Sequence, residues 1–139
     1  MKEYKISNIY TDGYERIAEI ERILNKTNFT VHFLEYDEYL ENNDKSNRRK
    51  VGDVLKGDII ISLVSVNKKV DKEIMHQQTV QKSSHIEAIV QIFQIVDEYS
   101  VYAFSSISNN AILVEFENMV NYKEGDKVFI EGSLELVEL

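Results

Sequence analysis

The stretch DKVFIEGSLELVEL, residues 126–139, alternates apolar and polar side chains with a period of two, and that period limits the folds open to the chain. Successive side chains of a strand point to opposite faces. Val128, Ile130, Leu134 and Leu136 therefore collect on one side, and Glu131 and Glu135 on the other. AILVEFENMV, residues 111–120, repeats the device with Val114 and Phe116 against Glu115 and Glu117. NYKEGD between them supplies a turn, so the two runs are expected to form a half-buried antiparallel pair with its glutamates in water.

Two other segments carry both periods. SSHIEAIVQIFQIVDEYSVYAF, residues 83–104, reads as a helix with a capping box at Ser84 and Glu87 and an apolar face of Ile86, Ile89, Val90, Phe93 and Val96. As a strand it places Ile86, Ala88, Val90, Ile92 and Val96 together. The β-branched run, the turn-like DEYS and the alternating VYAF favour a long hairpin. YERIAEIERILNKTNFTVHF, residues 14–33, is balanced between a helix over 14–25, capped by Asp12 with Glu15, and a hairpin turning at NKTN. A shift of 72 positions, Glu15 onto Glu87, lays the second segment over the first, an internal echo carried mostly by isoleucines.

A chain of 139 residues, 43% hydrophobic and 29% charged, suits a single globular domain. It has no proline, which leaves Gly, Asn and Asp to make the turns. Cysteine is also absent, excluding disulfides, thiolate nucleophiles and cysteine-ligated zinc. With no apolar leader or membrane-length run, the expected location is the cytoplasm. ENNDKSNRRK, residues 41–50, is a polar connection; VGDVLKGDIIISLVSV brings a strand buried on both faces at Ile59 to Leu63; residues 67–82 read as an exposed edge or loop. The fold class expected is all-β, a small antiparallel barrel with long hairpins, or α+β if 14–25 or 86–96 is helical.

KVGDVLKGDIIISLV and YKEGDKVFIEGSLEL resemble a pattern of the oligonucleotide/oligosaccharide-binding (OB) barrels, a Gly-Asp turn introducing a strand that carries a glycine where the sheet bends. The resemblance covers under a quarter of the chain. It implies a shape and carries no activity.

No nucleotide-binding loop, HExxH or GxSxG is present, and His32, His76 and His85 have no ligand spacing, so neither enzyme, cofactor nor metal is expected. VHFLEYDEYLENND, residues 31–44, read as a strand, gathers Glu35, Asp37, Tyr39 and Glu41 on one face. Same-face neighbours lie roughly 7 Å apart, within reach of a glycosidase acid pair, but a solvated face does not drive two carboxyl pKa values apart. Tyrosine beside acid suits docking on a basic protein. Net charge is −8, with 12 acidic and 12 basic residues in 1–70 against 12 and 4 in 71–139. The leading expectation is a non-enzymatic binding module that docks a basic protein through Glu35, Asp37, Tyr39, Glu41, Glu115, Glu117, Glu131 and Glu135. An antitoxin or immunity protein would be an instance by charge and size. The alternative is single-stranded nucleic-acid binding through Arg48, Arg49, Lys50, Lys68 and Lys69, with aromatic rings for stacking.

Overall fold

The computed structural model describes residues 2–36 and 49–138. They form strands and no helix: β1 (Lys2–Asp12), β2 (Glu15–Arg22), β3 (Asn28–Leu34), β4 (Val54–Lys69), β5 (Met75–Gln77), β6 (His85–Ile95), β7 (Ser100–Phe104), β8 (Ile112–Phe116) and β9 (Lys127–Glu138). The described residues thus contain no helix long and apolar enough to cross a membrane.

Both ambiguous segments are hairpins. β2 and β3 turn through residues 23–27, where the Asn25 side chain accepts from the Thr27 amide at 3.1 Å. β6 and β7 turn through 96–99, where Asp97 does the same for Tyr99 at 2.8 Å. Ile23 and Leu24, inside the span of the helical reading of 14–25, lie in the turn and are 45% and 92% exposed. The inner row of β2 is instead Arg16, Ala18, Ile20 and Arg22. Two arginines bracketing two apolar residues is what hid the strand.

The sheet runs β1-β2-β3-β9-β4-β8-β7-β6-β5 and closes on itself, because β1 also pairs with β4 and β9 with β6. Strand β5 hangs from β6 outside the ring. The β4–β9 pair crosses the ring and divides it into two circuits, β1-β2-β3-β9-β4 and β6-β7-β8-β4-β9. In each circuit the first strand closes antiparallel on a shared strand, β1 on β4 and β6 on β9. In each the third strand runs parallel to the other shared strand, β3 to β9 and β8 to β4.

The turns entering the shared strands match bond for bond. The Ile6 amide donates to the Asp53 carbonyl and Gly52 to Ile6, at 2.9 and 2.8 Å; Ile92 donates to Asp126 and Gly125 to Ile92, both at 2.8 Å. Asp53 accepts the Lys50 amide at 3.0 Å as Asp126 accepts that of Lys123 at 2.9 Å. Gly52 and Gly125 have φ of 95° and 90°, a region costly for any residue with a Cβ. These are the two Gly-Asp turns of the sequence. The internal correspondence is therefore β1 with β6 and β4 with β9. The echo that set β2 over β6 pairs strands that occupy different places.

Two further expectations are corrected. β8 and β9 both alternate as read, yet they do not pair, since β4 lies between them. β4 is not buried on both faces from Ile59 to Leu63: Ile59 and Ile61 are buried, Ile60 is half-buried and Leu63 is 61% exposed. Leu63 marks the irregularity between Ser62 and Val66, with φ of 53°, an outlier for a bulky residue. The kink brings the Ser62 carbonyl against Gly132 on β9, where an added Cβ would lie 2.7 Å from the oxygen. Glycine is required there by close approach. Inside the ring, Ile61, Val64, Ile130 and Leu134 join residues of both circuits in one buried cluster.

Candidate docking surface

The outward row of β9 runs Lys127, Phe129, Glu131, Ser133, Glu135 and Val137, and the register of its neighbours decides what surrounds the central Glu131, Ser133 and Glu135. On one side β4 sets Ser62 opposite Ser133. On the other, β3 sets His32 beside Glu135, and β6 sets His85 opposite Ser133 and Glu87 opposite Glu131. His32 Nδ1 lies 2.7 Å from Glu135 and its Nε2 lies 3.4 Å from Glu15. The Ser62 hydroxyl reaches Glu135 at 3.4 Å, and Ser84 meets Ser133 at 2.7 Å. His85 Nε2 lies 3.4 Å from Glu131, and the Gln77 amide donates to Glu87 at 2.6 Å. Each histidine thus stands among carboxylates along one polar stripe.

No lysine or arginine among the described residues pairs with Glu15, Glu87, Glu131 or Glu135. Like charges directly opposite each other on neighbouring strands destabilise a sheet, so the Glu87–Glu131 pair carries a cost that a cation would relieve. His85, Glu87 and Glu131 offer ligand atoms within 4.8 Å of one another and are the donors that would hold a divalent metal on this face.

The stripe does not have the order of a hydrolytic triad. A hydroxyl nucleophile needs the imidazole between itself and the acid. Here Glu135 stands between Ser62 and His32.

Burial pushes the Glu135 carboxyl above the usual 4.5, against the opposing pull of His32, Ser62 and Ser133. The folded chain therefore holds this proton to higher pH than the unfolded chain. The associated stability is full below about pH 4.5 and is lost as pH rises through the raised folded value. Urea midpoints across that interval should fall more steeply in the wild type than in Glu135→Gln, and matching slopes would refute the assignment.

The remaining candidates are scattered. Glu35 is 17% exposed and already engaged: it lies 3.3 Å from the buried Arg16 and accepts the Arg49 amide at 3.0 and 3.1 Å. It is an internal counter-ion and not an open acid. Asp37, Tyr39 and Glu41 lie outside the described residues, as does Arg48. Glu115 lies within β8 and Glu117 just beyond its end, separated from the β9 row by β4. The cations do not share one track. Arg49 pairs with Glu138 at 2.7 Å, Lys50 precedes β4, and Lys68 and Lys69 end it, with Lys69 3.3 Å from Asp126. His76 stands apart, beside Ser106 and the Phe29 ring, its pKa lowered by burial.

His32, His85, Glu15 and Glu87 were not singled out by carboxylate patterning because their meeting is set by cross-strand register. The one local signal was Glu87 at an alternating position of a strand run. The comparisons with known proteins add no constraint: no family model matches the chain, and neither a curated protein nor a solved structure matches it.

Proposed function

We propose that the protein is a non-enzymatic binding module that docks a basic protein partner through the anionic stripe along β9, centred on Glu87, Glu131 and Glu135. An inhibitor of the antitoxin or immunity type is the concrete instance, since an oppositely charged face steers a basic effector and then covers it. The observation that carries the reading is the Glu87–Glu131 pair, two carboxylates in register with which no lysine or arginine of the described residues pairs. A partner's cation placed there would relieve their repulsion. The two five-strand circuits agree in size with the OB barrel shape, which hosts ligands of many kinds. The nucleic-acid alternative draws less support, because its described cations are paired with acids or stand at opposite ends of β4.

Immobilised oligo-lysine tests the location of binding, with net charge held equal between variants. The wild type should be retained at low salt and released as salt rises. The triple variant Glu87→Gln, Glu131→Gln, Glu135→Gln should lose most of that retention, about tenfold in affinity. Glu98→Gln, Glu117→Gln, Glu124→Gln removes the same charge elsewhere and should lose little. Equal loss by both triples would leave only a generally acidic protein and sink the proposal, while firm retention on oligo-dT would favour nucleic acid.

A further inference from the structure

Arg22 ends the inner row of β2 with only 6% of its surface exposed. A buried guanidinium normally faces a carboxylate, because an uncompensated charge in a low-dielectric interior is costly. No carboxylate pairs with Arg22 among the described residues. Its Nη2 donates to the Ile107 carbonyl at a long 3.4 Å, its guanidinium lies 5.8 Å from the centre of the Tyr4 ring, and its buried Nε has no partner.

Arg22 stands behind the wall of a cavity of about 440 Å³. Tyr4, paired with Arg22 in the β1–β2 register, lines that cavity, as does Ser108, the neighbour of Ile107. Lys2 lines it too, with its ammonium on the Ser108 hydroxyl. Desolvation and the Arg22 charge both press the Lys2 pKa below its usual 10.5, while Asp58, next to the Gly57 partner of Lys2, pulls it up. Lys2 in the wall and the buried Arg22 behind it, against the one exposed acid Asp58, bias this recess positive on a chain of net charge −8. The floor is apolar, from Ile59, Ile112 and Val137. The volume falls within the range of small-molecule sites.

We propose that this cavity binds a small amphipathic carboxylate, its head against Lys2 and Ser108 in the field of Arg22 and its apolar body along Ile59, Ile112 and Val137. The ligand supplies the counter-charge that Arg22 lacks in the protein itself. Asp58, beside Lys2 on the neighbouring strand, selects against a second anionic group. The site is separate from the β9 stripe, so its test is independent of the docking proposal.

Octanoate is the probe, followed by amide chemical shifts. It should shift the signals of Tyr4 and of residues 108–113 saturably, with a dissociation constant below about 1 mM, the affinity expected of a ligand this size. Lys2→Gln and Arg22→Met should each weaken binding about tenfold. Arg22→Met keeps the side-chain volume and removes an unpaired buried charge, so it should fold at least as stably as the wild type. Should it fail to fold, Lys2→Gln alone carries the test. Three outcomes would overturn the proposal: no saturable shift, unchanged affinity in Lys2→Gln, or equal binding of octylamine or inorganic phosphate, which would deny the roles of the cations or of the apolar floor.

Discussion

Gly132→Ala should destabilise the fold by about 3 kcal/mol or more, seen as a collapse of the urea midpoint or as failure to fold. The new Cβ would stand 2.7 Å from the Ser62 carbonyl and 3.0 Å from Val64, and the carbonyl belongs to the kink that carries β4 from one circuit to the other. It cannot yield without moving the shared pair. Gly57→Ala should act similarly, since its Cβ would meet the Val137 carbonyl at 2.3 Å. Gly52→Ala and Gly125→Ala are the contrast. An added Cβ finds nothing within 4 Å at either, so only the left-handed backbone opposes it, at about 1 kcal/mol. If Gly132→Ala cost no more than Gly125→Ala, the tight β4–β9 crossing would be wrong.

Leu134→Ala should cost between about 2 and 5 kcal/mol, the range for emptying a fully enclosed leucine site. Leu134 is 0% exposed and sits on β9 opposite Ile61, where the circuits meet. Its loss should lower protection of the amides of Ile20 in the first circuit and Val101 in the second together, because both circuits close on β9. Loss confined to one side would show that the halves unfold separately. Leu24→Ala, at a residue 92% exposed, should change stability by less than about 0.5 kcal/mol.

Strand existence was legible wherever one face was consistently apolar. Val128, Ile130, Leu134 and Leu136 are buried in alternation with Glu131 and Glu135, as their spacing requires. The Gly-Asp turns were legible because a positive φ restricts residue choice locally. Pairing was not. NYKEGD is a turn of hairpin length, yet β4 enters between the strands it joins, and no local feature announces a partner some fifty residues upstream. β2 was obscured by arginines on its inner row, and the isoleucine-rich echo fell on the wrong strands because abundant isoleucine matches itself in many registers. Of the site, the outward glutamates could be read. The histidines beside them could not, since His32 and His85 reach β9 from separate strands by parallel and antiparallel pairing.

Strand β9 supplies a side to both circuits and follows every other strand of the two circuits in sequence. On the ribosome, then, neither ring has all its members until residues 127–138 have emerged. Hairpins β2–β3 and β6–β7 can form earlier, but their apolar faces must wait uncovered, so synthesis of this protein calls for either rapid completion or a holding chaperone.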